Sequence, residues 1–127
     1  MRETNEDIII STTDLERLRP LLDLHDSPAA ELLDAELHRA RIVEPDRVPA
    51  DVVTMNSEVV YEDIETSATR TVRVVFPKDA DVDRGCISVL APIGSALLGL
   101  RVGQSITWRV PHGTKRLRVV EVRAAAL

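Results

Sequence analysis

The periodicity of the apolar residues changes once along this chain, and that change limits what the chain can fold into. Up to about residue 43 the leucines recur every three or four positions, as on one face of a helix. Beyond residue 52 apolar and polar residues alternate, as in strands wetted on one side. Between them lies "EPDRVPAD", residues 44–51, whose two prolines and three acids read as a linker. Helices followed by a run of strands point to an α+β fold: a short antiparallel helical hairpin over residues 1–48, then an antiparallel sheet with one short helix over residues 49–127.

The helical part carries its own boundaries. In "STTDLERLRPLLDL", residues 11–24, Ser11 with Asp14 and Thr13 with Glu16 are overlapping capping pairs, and Leu15, Leu18, Leu21 and Leu22 follow at helical spacing. Pro20 removes a backbone donor and crowds the carbonyl four residues before it, which predicts a kink or an early end. A second helix starts with Ser27 as N-cap and Pro28 as first residue, places Leu32, Leu33, Leu37 and Ala40 on one side, and runs to Val43. Glu31, Asp34, His38 and Arg41 form a separate polar stripe. The hairpin turns at 24–27. At 1.5 Å per residue, a helix of ~15 residues reaches only about 22 Å, and a pair this small has little core of its own, so it leans on the rest of the chain or on a partner.

Five strands are predicted: in "VVTMNSEVVYED" after the opening short strand "DIII", then in "RTVRVVF", "CISVL", "SITWRV" and "KRLRVVEVR". Ile106, Trp108 and Val110 share one face of their strand; Ser105, Thr107 and Arg109 take the other. In the last strand the inward set moves from Leu117 and Val119 to Val120 and Val122, which predicts a bulge. "PHGTK" reads as the hairpin turn before it.

Composition narrows the function classes. The net charge is −5, but residues 1–50 hold 12 acids against 6 Lys or Arg, whereas residues 51–127 hold 9 against 10. Arg101, Arg109, Lys115, Arg116, Arg118 and Arg123 stand against one acid, Glu121, in the last 27 residues. A phosphate-binding face is one reading of that stripe, an acidic patch on another protein a second, and a solvated strand face the favoured one. Tyr61, Phe76 and Trp108 are the only aromatics, too few for a base-stacking platform, so no direct sequence-specific nucleic-acid partner is expected. No apolar run approaches the ~18 residues of a membrane span, and "MRETNEDIII" puts acids where a secretory signal carries positive charge. The expected location is cytoplasmic, with no membrane partner. The single cysteine, Cys86, lies beside Ile87, Val89 and Leu90 and reads as a buried strand thiol. His25, His38 and His112 show no close metal spacing, so neither a metal nor a cofactor is expected.

The stretch "SVLAPIGSALLGLRVGQSI" resembles the signature of the C-terminal domain of the Gre transcription elongation factors, a Ser-Pro-x-Gly-like turn followed by Ala-Leu-Leu and then a Gly-Asp turn into a strand. Those places are held here by Ala91, Pro92, Ile93 and Gly94, by Ala96, Leu97 and Leu98, and by Gly103. With "PADVVTMNSEV" and "LLGLRVG", the likeness to a small bacterial member of that superfamily extends from "DIII" to "EV". The resemblance implies an FKBP-like C-terminal domain behind a coiled-coil-like hairpin, a monomer as the working expectation, and bacterial RNA polymerase as partner, bound at the rim of its secondary channel. Leu90, Ala91, Pro92 and Ile93 hold the place of the docking loop. On the residues alone, Pro92 and Gly94 equally shape a strand-to-helix turn. Gre factors carry an acidic or hydroxyl residue before that proline, where this chain has Leu90 and Ala91, and Gln104 replaces their Asp after Gly103.

Gre factors also carry acids at the tip of a long coiled coil, where they help hold a metal ion for transcript cleavage. Asp23, Asp26 and Glu31 stand near the turn here. The simpler account is that Asp26 and Ser27 cap the second helix and Glu31 sits at the positive end of its dipole. A short, proline-interrupted hairpin reaches no deep site, so transcript cleavage is not expected. Prolyl isomerisation, the other activity of FKBP-like folds, needs an aromatic-walled pocket that three scattered aromatics do not supply. There is no Gly-rich phosphate loop, and the chain reads as a binding module and not an enzyme.

Overall fold

The structure, a computed structural model, describes residues 2–3, 8–110 and 113–123, with the side chains of 2–3 and 108–110 excepted. The elements in chain order are β1 (Arg2–Glu3), β2 (Ile9–Ser11), α1 (Thr12–Leu24), α2 (Pro28–Arg39), β3 (Arg41–Val43), β4 (Glu58–Asp63), β5 (Thr69–Val75), β6 (Cys86–Ser88), α3 (Pro92–Leu97), β7 (Ser105–Val110) and β8 (Gly113–Arg123). Six strands form one sheet in the order β1-β7-β8-β4-β5-β6, antiparallel throughout except for the parallel pair β5–β6 at its edge. The five strands predicted from alternation are all present. Of the first, only the second half pairs as β4; residues 52–57 make a single bridge from Val52 to Arg101 and a turn in which Asn56 has φ of 69°.

The α+β reading therefore holds, with corrections in the hairpin. Ser11 caps α1, its hydroxyl accepting the Asp14 N–H at 3.0 Å. The helix runs through Pro20 to Leu24 and does not stop early. Pro20 and Glu16, one turn before it, are both exposed, so the turn that loses a helical hydrogen bond lies at the surface and not in the core. The second helix ends at Arg39 instead of Val43. Residues 41–43 form β3, which pairs in parallel with β2, a tertiary pairing that overrides the helical spacing. The buried face of α2 is Ala30, Leu33 and Leu37, while Leu32, expected inside, is half exposed. Asp34 joins the helices, accepting from the Arg19 guanidinium at 2.8 Å and lying 3.6 Å from the His38 ring.

The bulge in the last strand is real, since β4–β8 pairing passes from Val60↔Glu121 to Tyr61↔Val119 and skips Val120. Val120 consequently points outward, against expectation, and the inward set is Leu117, Val119 and Val122. Ile106 is buried as expected; the placement of the Trp108, Arg109 and Val110 side chains and of Pro111 and His112 lies outside the described residues. Cys86 is half-buried, not buried; it lies at the edge of the sheet, pairing with Arg73 on one side and bridging to Asp81 in an exposed turn on the other.

Helices and sheet share one core: Leu18, Leu33 and Leu37 from the hairpin pack in the same cluster as Val59, Val74, Leu97 and Val119. Three hydrogen bonds fix the junction, two at Gly99 and one at Asp14. At Gly99, φ is +85°, its N–H donates to the Val53 carbonyl at 2.9 Å, and its own carbonyl accepts the Ile9 N–H at 3.1 Å. A Cβ there would lie 2.7 Å from Ile8 Cβ, so both the backbone angle and the space require glycine. One turn into α1, the Asp14 carboxylate accepts the Met55 N–H at 3.0 Å in a buried position. This carboxylate satisfies a backbone donor in the segment that precedes β4, tying the hairpin to the sheet.

Burial raises the pKa of Asp14 above its ordinary 3.8, against the smaller lowering by the Met55 N–H and by Arg17. The folded chain therefore holds this proton more readily than the unfolded chain does, and the stability linked to it is present in full below 3.8 and lost as pH rises through the raised value. Asp14→Asn keeps an oxygen for Met55 and does not ionise. In urea unfolding, the stability of Asp14→Asn relative to the parent is expected to rise as pH is raised from below 3.8 to neutrality; a pH-independent difference would contradict this account of Asp14.

Candidate functional site

The loop between β6 and α3 is built around Ser88. Its hydroxyl accepts the Leu90 N–H at 3.1 Å and its carbonyl accepts the Ala91 N–H at 2.9 Å, so the chain turns sharply within three residues. Ala91 begins α3 with its carbonyl, which accepts the Ser95 N–H at 2.9 Å, and Pro92 occupies the first helical position with its fixed φ and no donor to satisfy. The Ser95 hydroxyl donates to the Pro92 carbonyl at 3.2 Å. A Cβ on Gly94 would fall 2.1 Å from the Ser88 carbonyl oxygen. Gly94 is therefore set by close approach of backbone to backbone, and its φ is not positive.

The result is a rigid knob. Pro92 is exposed at its apex; Leu90, Ala91 and Ile93 are half-buried around it, and Leu90 and Ile93 also rest on the core. Directly beneath, Ala96, Leu97 and Leu98 are fully packed. The structure thus brings together the four residues singled out in the sequence, and adds Ser88, which spacing alone did not mark. Its signal was a small hydroxyl residue four positions before a helical proline.

The acids of the hairpin turn are exposed. Asp23 lies in the last turn of α1, Asp26 in the connection and Glu31 in the first turn of α2. The cap of α2 is Ser27 alone, whose hydroxyl accepts the Ala30 N–H at 3.2 Å; Asp26, expected to share that role, makes no capping bond. His25 and His38 each use Nδ1 on a carbonyl of their own helix, Leu21 and Asp34, both at 2.8 Å. Among the described residues no three His, Cys, Asp or Glu are gathered as a metal cluster would need. Leu18, Ala30 and Leu33 are already in the core, so only the last turns around residues 23–28 extend beyond it.

The basic stripe of β8 is not a bare cationic surface. Arg116 meets Glu65 at 2.7 Å, Arg118 meets Glu62, and Arg123 meets Glu58 at 2.7 Å and Glu121 at 3.1 Å. Lys115 stands 3.9 Å from Asp63, and Arg101 stands 3.4 Å from Asp51. Carboxylates of β4 and the turn after it thus neutralise most of the stripe, as cross-strand pairs on a solvated face do. The Glu65 carboxyl is held below its ordinary range by the Arg116 side chain.

This arrangement, a proline-headed short helix seated on a mostly antiparallel sheet, coincides with a known sequence family. Residues 48–124 match the model of the transcription elongation factor GreA/GreB C-terminal region, and residues 6–43 match that of the Rnk N-terminus. The chain belongs to the GreA/GreB family. It is 42% identical over 119 residues to the regulator of nucleoside diphosphate kinase of Escherichia coli K12, covering 91% of this chain and 88% of that protein. It is 38% identical over 88 residues to transcription elongation factor GreA of Syntrophobacter fumaroxidans, covering 69% of this chain but 56% of that one. Among solved structures, the prokaryotic transcription elongation factor GreA/GreB from Nitrosomonas europaea superposes with a TM-score of 0.79 at 44% identity, over 94% of this chain and 100% of that one. This Gre-family protein therefore has the fold that the resemblance implied, and its short hairpin is matched by the Rnk N-terminal model. No helix among the described residues is long and apolar enough to cross a membrane.

Gly94→Ala is expected to destabilise the fold by about 3 kcal/mol, the upper end of the usual cost of overpacking, because the clash is with a carbonyl and not with a flexible side chain. Chemical denaturation measures this directly, and a loss within about 0.5 kcal/mol would mean that the 88–94 turn rearranges freely.

Proposed function

We propose that this protein is a transcription regulator that binds bacterial RNA polymerase near the rim of the secondary channel through Leu90, Ala91, Pro92 and Ile93, competes there with Gre factors, and does not cleave transcripts. The observation that carries this reading is the exposed Pro92 held at the apex of a turn that Ser88 and Gly94 make rigid, in the position of the family motif. A surface ordered before binding loses little entropy when it docks. The apolar character of Leu90 and Ala91 makes the contact less polar than the acidic or hydroxyl version of the motif. Residues 49–127 serve as the docking module in this proposal, and residues 1–48 as the hairpin that faces the channel entrance with Asp23, Asp26 and Glu31.

Absence of cleavage follows from reach. Transcript cleavage needs carboxylates brought close to a metal deep in the polymerase, and here the middle turns of both helices are sunk in the protein's own core. Nor do we assign the chain a chemical step of its own: the E. coli relative is named a regulator of nucleoside diphosphate kinase, and an effect on such an enzyme is regulatory in this reading.

Binding of the purified protein to bacterial core RNA polymerase tests the proposal. Saturable binding is expected, weakened about tenfold, or about 1.4 kcal/mol, by Pro92→Ala and displaced by a Gre factor, with no shortening of RNA in backtracked complexes. Absence of binding at tens of micromolar would overturn the docking reading, and RNA shortening lost on replacing Asp23 and Asp26 by Ala would overturn the reading of the hairpin.

A further inference from the structure

A second surface is lined by none of the residues of the proline loop. The pair β2–β3, the turn Pro45–Arg47 and the segment after α3 enclose a half-open cleft of about 800 Å³. Three of its lining residues are arginines, Arg41, Arg47 and Arg101, and its apolar lining residues include Ile42, Val43 and Pro49. Arg101 is engaged with Asp51 at 3.4 Å. Arg41 and Arg47 are exposed and have no side-chain partner among the described residues, unlike the cations of β8. Glu44 also lines the cleft and lies three residues from each, yet pairs with neither. Two arginines without a side-chain partner thus line one concavity, in the half of the chain that carries 12 acids against 6 basic residues.

We infer that this cleft binds a small organic phosphate, with the phosphate on Arg41 and Arg47 and an apolar or ring-bearing body against Ile42, Val43 and Pro49. The guanidinium presents its donors in a planar fork that matches phosphate oxygens two at a time. The volume falls in the range of small-molecule sites, which combine apolar walls with a few placed polar groups. A nucleic-acid backbone, by contrast, is tracked by an extended row of cations, and the row on β8 is already paired with carboxylates. Ile42, at 38% exposure, is an exposed apolar residue of the cleft lining, which a ring would cover.

Amide NMR of the full chain, titrated with phenyl phosphate and separately with inorganic phosphate and a short single-stranded oligonucleotide, tests this. Phenyl phosphate is expected to give saturable shifts at Ile42, Val43, Glu44, Arg47 and Arg101 in the millimolar range or tighter, and to bind several-fold more tightly than inorganic phosphate. Arg41→Gln with Arg47→Gln, both at exposed positions, is expected to weaken binding at least tenfold with the spectrum otherwise intact, and Glu44→Gln to strengthen it. Non-saturating shifts, equal binding of phosphate and phenyl phosphate, shifts unchanged in the double variant, or preferential binding of the oligonucleotide at these residues would each overturn the inference.

Discussion

Everything in this fold hangs on the backbone at Gly99. Three segments distant in sequence meet there: the strand that leads into the hairpin, the segment that precedes β4, and the end of the short helix beneath the proline loop. The approach leaves no room for a side chain, since a Cβ would sit 2.7 Å from that of Ile8, and the positive φ of +85° excludes most other residues independently. Leu97, Leu98 and Leu100 around it are fully buried. The Asp14 carboxylate on the Met55 N–H completes the junction from the other side of the hairpin. A pair of helices too small to hold a core thus becomes part of the core that supports α3.

That coupling explains the division between stiff and adaptable surface. The loop of Ser88 and Pro92 stands directly on the packed leucines of α3 and has little freedom to relax. The solvent face of the sheet is held by exposed ion pairs, each worth little to stability but together removing the bare positive charge that the sequence of β8 carries. Arg41 and Arg47, by contrast, have no carboxylate partner among the described residues, and lie on a strand and turn that belong to neither the main sheet nor the helices.

Much of this was legible in the residues. Alternation located all five strands, the phase change at Val119 and Val120 located the bulge, and Ser11 and Ser27 marked both helix starts, because caps, bulges and strand faces are local matters of spacing and hydrogen bonding. The Pro92 to Leu98 signature located the knob and the family. What remained hidden depended on distant partners. Residues 41–43 continue a helical spacing but pair with Ile9 and Ile10 instead. Asp14 has the look of a helix-start acid and nothing nearby announces Met55, 41 residues away. Gly94 could be read as a turn glycine, whereas its reason is the carbonyl of Ser88. The arginine cleft escaped notice for the same cause, as it forms only when Arg101 comes back against β3.

The central claim is that a preformed knob, carried on a core continuous with the hairpin, is what engages the polymerase. Hydrogen exchange of the full chain with and without bacterial core RNA polymerase tests it most directly. The account predicts new protection concentrated at the amides of Leu90, Ala91, Ile93 and Ser95, with the β4 and β8 amides of the sheet unchanged. Protection centred on the sheet face, or a complex that leaves the knob amides exchanging as in the free protein, would contradict it.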